Sequence, residues 1–336
     1  MRKLFLIPGL LLLICNNLFC QNATQDFNIP LSKQKIESSL YKTIKFIDSR
    51  YDTTNMGVVE SWLLKKRAMV IPAVPLAGQL SSVLSSLIDS TTKDGELLFQ
   101  LRKLHFIEHT DAMSTTGFCY YRAVLYSKRN DSYKKLASID TVIAENYGQV
   151  TKELLIFGGR AIESFIAANL TKEATGLTYS LSDITHLDSL EKQNIKVYAD
   201  SQYTDGIYKT YESFKNQVPD KQISSVIMKK DEISFVKTIK DNGKEIRVFP
   251  TDIYAIVYQG HPYISMESEY YPLVKKNDDF FFTGRAEITA NGGNVMAAQF
   301  FFGIIGAAVA AGTEAVFEMR LDYISGKPIR VREIKN

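Results

Sequence analysis

Three cysteines, four histidines and one tryptophan are few for 336 residues. Cysteine at that level excludes a disulfide scaffold and a Cys-rich zinc framework. The charge excess is equally thin. Lys+Arg 40 against Asp+Glu 37 leaves +3, without the basic surplus of a nucleic-acid binder, so no nucleic-acid partner is expected. There is no G-x-S-x-G elbow, no phosphate-binding P-loop, no dinucleotide fingerprint and no repeat of fixed period. What is abundant is core material. The chain is 45% apolar and 11% aromatic, which excludes disorder, collagen and coiled coil, and its length suits two ordinary domains.

The first twenty residues read as an export leader. Arg2 and Lys3 precede an apolar core, Leu4 to Ile14, and Asn16-Asn17 make a polar break. Cleavage is expected between Cys20 and Gln21. Lipidation of Cys20 needs a small residue before it, and Phe19 is bulky. A core of about eleven residues is also short for a membrane span of about 20. A periplasmic or envelope-associated protein is therefore expected. Without its leader it carries 38 basic and 37 acidic residues and one thiol, Cys119, so no intramolecular disulfide can form. Cys119 lies in Phe118-Cys-Tyr-Tyr-Arg-Ala-Val-Leu-Tyr126, a strand pattern that predicts a buried, inert thiol.

The mature chain divides near residues 195–205 into an α/β layer domain (21–200) and a β-rich domain (201–336). The fold class expected is α+β, a strand/helix layer followed by a mostly antiparallel β domain. Leu40–Ile47 reads as a strand that enters the polar turn Asp48–Gly57. Helix spacing runs from Pro75 to Ile88 and again from Thr151 to Ile166. Strands are predicted over Glu96–Glu108, Gly117–Lys128 and Tyr133–Ala144, the last two joined by a hairpin at Lys128-Arg-Asn-Asp131. The stretch Ile44-Lys-Phe-Ile-Asp48-Ser-Arg50, then Gly57, a helix and a strand meander, is similar to YajG-type envelope proteins and to auxiliary lipoproteins of ABC transporters. That resemblance covers residues 40–170 and implies an envelope location and an accessory role. The chain departs from those families in lacking a convincing lipid-attachment site.

In the second part, Asp205–Pro219 is expected to be a turn and a short helix. Ser234–Lys240 and Glu245–Phe249 flank Asp241-Asn-Gly243, a tight-turn signal, because Asn-Gly accepts positive φ. Further strands are predicted over Asp252–Tyr258, Tyr263–Ser268, Asp279–Thr283, Phe317–Tyr323 and Pro328–Arg332, the last two joined through Ser325-Gly-Lys327. The run Asp205-Gly-Ile-Tyr-x-Thr-Tyr-x-x-Phe-Lys-Asn216, with Leu321-Asp-Tyr-x-x-Gly326, resembles an uncharacterised family of exported Gram-negative bacterial proteins over residues 203–332. The resemblance implies no catalytic residues. Ile288–Thr313 carries no charge, and its core Val295–Gly312 reads as a buried or surface-docked helix, with membrane contact or an oligomer contact as the alternative.

Few residues suggest chemistry. His105-Phe-Ile-Glu-His109 matches the H-x-x-E-H of inverted zinc peptidases, in which a helix brings both imidazoles to one metal. Alternation of Leu97, Phe99 and Leu101 instead predicts a strand. It would hold His105 and His109 about 13 Å apart, so no metal and no cofactor is expected. Leu97, Leu101 and Leu104 also fit a helix. Gly158-Gly159-Arg160 reads as helix packing rather than an anion site. His186 falls at a helix start and His261-Pro262 in a turn. Asp48 and Arg50, with Asp52, make a polar turn that is a candidate ligand site, and Tyr254, Tyr258 and Tyr263 a candidate groove. The function expected is a non-catalytic envelope binding or accessory protein with an envelope protein partner. A membrane-associated oligomer using 295–312 is the second reading and a zinc hydrolase the third.

Overall fold

The structure, a computed structural model, describes residues 23–60, 67–110, 115–146, 148–230, 232–266, 268–287 and 314–334. The leader and the 295–312 segment lie outside these residues. Among the described residues no helix is long and apolar enough to cross a membrane.

The chain is α+β, with its β-rich part C-terminal. β1 (Ala23–Phe27), β2 (Tyr41–Asp48), β3 (Gly57–Glu60) and β4 (Arg67–Pro72) precede α1 (Leu76–Leu87). The long strands β5 (Gly95–Thr110), β6 (Thr115–Arg129) and β7 (Ser132–Glu145) follow, then α2 (Val150–Ala167) and β8 (Thr178–Tyr179). These eight strands form one sheet in the order β1-β4-β3-β5-β6-β7-β8, with β2 also on β5. α1 buries Leu76, Leu80, Val83, Leu84 and Leu87, and α2 buries Leu154, Leu155, Ile162, Phe165 and Ile166, as their spacing predicts. Both pack on one sheet face in a single core with Phe99, Phe106, Cys119 and Tyr121. Gly158 and Gly159 are packing glycines. A Cβ on Gly158 would stand 2.7 Å from the Phe106 ring, and one on Gly159 2.7 Å from the Asn28 carbonyl oxygen.

Two irregularities in β5 shape the face opposite α1 and α2. On one side β5 is paired along its length with β6. On the other it meets two parallel strands in tandem, β2 up to Leu101 and β3 from Phe106. The chain leaves the sheet between them, so Arg102–His105 has no strand neighbour on that side. Gly57 brings it back at φ +101, where a Cβ would lie 2.1 Å from the Phe106 carbonyl oxygen, so only glycine fits. β5 also bulges between Leu101 and Lys103. The extra residue resets the alternation. Leu97, Phe99 and Leu101 face the helices before it, Leu104 and Phe106 after it. Arg102 and Lys103 both turn to the opposite face. This bulge is why the leucines of a strand imitate helix spacing.

The C-terminal part begins with the short helices α3 (Leu181–Thr185), α4 (Leu187–Lys192) and α5 (Lys196–Ala199). Next come β9 (Gly206–Tyr208), α6 (Tyr211–Lys215), β10 (Ser225–Lys229), β11 (Glu232–Ile239) and β12 (Glu245–Val248). A 3-10 turn at Pro250–Asp252 leads to β13 (Ala255–Tyr258), β14 (His261–Met266), β15 (Glu269–Pro272) and β16 (Val274–Lys276). β17 (Asp279–Glu287), β18 (Glu314–Leu321) and β19 (Pro328–Glu333) complete the chain. Three antiparallel sheets result: β10-β11-β12, β15-β14-β13-β9 and β16-β17-β18-β19. Gly243, at φ +76, makes the turn expected between β11 and β12. Several expectations need correction. Gly206–Tyr208 is a strand rather than a turn, because it pairs with Ala255–Val257. Of the strand expected from Asp252, Asp252 itself ends the 3-10 turn and the strand begins at Ala255. His261-Pro262 is the start of β14, opposite Val257 and Tyr258, and the turn falls at Gln259-Gly260. Ile184 of α3 and Ile329 of β19 close against the face of the large sheet opposite α1 and α2.

Candidate functional site

Where the C-terminal part meets that face, a cleft of about 380 Å³ remains, within the range of small-molecule sites. One wall is the loop Ser49–Asn55 and the strandless middle of β5. The facing wall comes from α4, the start of β17 and the β18–β19 turn.

Arg50 shapes the loop. Its Nε donates to Asp48 Oδ1 at 2.8 Å and its Nη2 to Asp48 Oδ2 at 2.7 Å, while Nη1 donates to the Asn55 carbonyl at 3.1 Å. Asp52 accepts the Thr54 N–H at 2.8 Å and the Asn55 amide at 2.9 Å. The predicted polar turn is thus a self-contained staple on the cleft wall, and Arg50 and Asp52 line it.

Three ion networks cross the cleft. Asp322, which follows β18, is 4% exposed. It accepts both Arg122 Nη atoms and Lys103 Nζ, each at 3.2 Å, and the Ile324 N–H at 3.2 Å. Burial pushes its carboxyl pKa upward, but the Lys103 and Arg122 charges outweigh burial and hold it well below the usual range. Lys103 is lowered, first by burial. In the second network Arg102 Nη2 donates to Asp188 Oδ1 and Glu191 Oε2, both at 2.7 Å, and also bonds the Tyr323 hydroxyl. Tyr323 donates to Glu191 Oε2 at 2.6 Å. In the third, Asp279 lies 2.7 Å from Lys192 Nζ and 3.2 Å from Arg320 Nη1, and the Arg320 guanidinium stacks on the Tyr51 ring at 4.1 Å. Seven Lys and Arg side chains and four aspartates share the lining, so the cleft offers donors and acceptors of both signs.

His105 lines the cleft from β5. Burial, then the Lys103 charge, lowers its pKa to about 4, so the imidazole is neutral at ordinary pH. His105 and His109 lie in one strand, opposite Tyr120 and Thr116, as the alternation of Leu97, Phe99 and Leu101 predicts. A four-residue offset along a strand is about 13 Å, which no single zinc ion bridges. Among the described residues no group of three or more His, Cys, Asp or Glu is placed to hold a metal.

The tyrosine candidates are not at the cleft. Tyr254 packs on Tyr211 and Phe214 and donates its hydroxyl to the Gly326 carbonyl at 2.6 Å. Tyr258 ends β13 opposite His261, and Tyr263 packs beside the Ile207–Ile256 core. Asp48 and Arg50 are therefore not joined with them. Sequence reasoning missed Arg102, Arg122, Lys192, Asp279, Arg320 and Asp322. The available signal was an arginine inside an apolar strand, as in Tyr120-Tyr-Arg-Ala-Val124, since such a residue is buried only when paired.

No family model matches the chain, and no curated protein matches it. Among solved structures, a protein from Xanthomonas campestris described by the family model DUF330 is similar over 50% of this chain and 99% of its own, at 10% identity and a TM-score of 0.28. That is a distant neighbour from an uncharacterised family, not a YajG-type protein, and a likeness at this level carries no argument about function.

Proposed function

We propose that this is an exported, non-catalytic binding or accessory protein of the cell envelope, and that the charged cleft seats its ligand. The cleft carries the reading: loop, strand, helix and turn converge on about 380 Å³ lined by side chains of both signs. The leader pattern of residues 1–20 supports the location. The resemblance of residues 40–170 to envelope proteins and ABC-transport auxiliary lipoproteins, and of 203–332 to exported proteins, suits the same role. The test is titration of the mature protein with the low-molecular-weight fraction of an envelope extract, read by native mass spectrometry and thermal shift. Ser189 lines the cleft from α4, so Ser189→Trp fills it. A bound species and a rise in Tm, both lost in Ser189→Trp, support the reading. An equal response in the variant places the ligand elsewhere, and no bound species in the wild type overturns it.

A further inference from the structure

The outer edge of β7 is the longest sheet edge left open among the described residues. Tyr133 and Lys134 pair with β8, and the Lys135 N–H donates to the Leu177 carbonyl at 3.1 Å. From Leu136 to Ala144 no described strand or backbone hydrogen bond covers that side. Proteins usually guard such edges with charged side chains, lysine above all, with proline, with bulges or with shortness. β2 carries Lys42 and Lys45, and the remaining edge strands are six residues or shorter. Leu136-Ala-Ser-Ile-Asp-Thr-Val-Ile-Ala-Glu145 has no lysine, arginine or proline, and its Val142 side chain is exposed.

We propose that two copies of this chain join through this edge, antiparallel about a twofold axis at Thr141, into one continuous sheet. The register follows from charge and length. In such a pair, residues equally far from the axis face each other. An axis at residue 140 would set Asp140 against its own copy, a like-charge contact even though each Asp140, half exposed, also lies 3.0 Å from its own Arg122. An axis at Thr141 sets Asp140 against Val142, Ile139 against Ile143 and Ser138 against Ala144, all within the open stretch. Backbone polarity agrees. The Lys135 N–H points outward, and the register shift opposite Leu125/Tyr126 makes Leu136 the extra residue. Beyond this bulge Ser138, Asp140, Val142 and Ala144 present their N–H and C=O groups outward. Across the axis these complete about eight hydrogen bonds. The partner strand would end with its Glu145 opposite Ala137, short of the cover over Lys135, so the two do not collide. The same stretch thus complements itself in chemistry and in length, which an unrelated peptide would match only by chance.

The register makes the test charge-specific. Sedimentation equilibrium of the mature protein should show a dimer. Val142→Asp faces Asp140 twice across the axis and should weaken dimerisation about tenfold or more, whereas Val142→Lys should keep or tighten it. Thr141→Cys should cross-link to itself on mild oxidation, because non-hydrogen-bonded pairs bring Cα atoms to about 4.5 Å; Ser138→Cys should not. The buried Cys119 does not compete. A monomeric wild type whose Ser138–Ala144 amides resist hydrogen exchange would mean that another segment of the chain covers the edge, and it overturns the proposal. So does an unprotected monomer, or a dimer indifferent to Val142→Asp.

Discussion

Replacing Asp322 by asparagine removes the charge on which Lys103 and Arg122 converge while keeping the side-chain volume and the acceptor for the Ile324 N–H. The cost is set by what stays behind. The side chains of Asp322, Arg122 and Lys103 are 5%, 10% and 18% exposed, so both cations remain buried with one carboxylate fewer. Removing one partner of a buried ion pair costs about 3–5 kcal/mol. At about 2–4 °C per kcal/mol for a larger chain, Tm should fall by roughly 6–20 °C. The exposed Lys42–Asp94 pair, 2.9 Å apart, is the control. Asp94→Asn should leave Tm unchanged within error, because solvent screens that pair. The acid limb supplies a second readout. A carboxyl whose folded pKa lies below its unfolded value of about 3.9 stabilises the fold above that value, and the contribution is lost as pH falls further. Wild type should therefore lose stability more steeply than Asp322→Asn below about pH 4. Differential scanning calorimetry across this range decides the matter. A Tm drop under about 2 °C with an unchanged acid limb would refute the claim that this carboxylate joins the two parts of the chain.

Other outcomes follow from single contacts. Cys119 is fully buried and burial raises its thiol pKa, so it should react with thiol reagents only after denaturation; fast native labelling contradicts the core assignment. Gly158→Ala drives a methyl into the Phe106 ring and should cost about 1–3 kcal/mol in chemical denaturation, so a neutral variant would show that α2 can shift. The His105 imidazole, its pKa lowered to about 4 by burial, should show flat proton NMR shifts from neutral pH down to about pH 5; a midpoint near 6.5 would place it in water. Zinc analysis of tag-free protein should find no stoichiometric metal, whereas zinc lost in His105→Ala with hydrolytic activity lost in Glu108→Gln would restore the peptidase reading. Intact mass of the exported protein should begin at Gln21, and a species retaining Leu4–Ile14 or carrying an acyl group on Cys20 would overturn the cleavage expected.

Helix α1, helix α2, the three long strands and the Asn242-Gly243 turn were legible from sequence because each rests on periodicity or on the φ demands of one or two residues. Those preferences act over a few positions. The Asp48–Arg50 turn was legible for the same reason, since donor and acceptor are two residues apart. β9 and β16 were not, because a three-residue strand exists only through its neighbours. The bulge at Arg102 was also hidden: it takes the partner strand to show that an extra residue has been inserted, and without it Leu101 and Leu104 point to a helix. The cleft lay furthest out of reach. Arg102 meets Tyr323 across 221 positions of chain, and Arg122 meets Asp322 across 200. A charge in an apolar strand demands a partner, because an unpaired buried ion is too costly to keep, but only the packing of the C-terminal sheet against the large one decides which carboxylate supplies it.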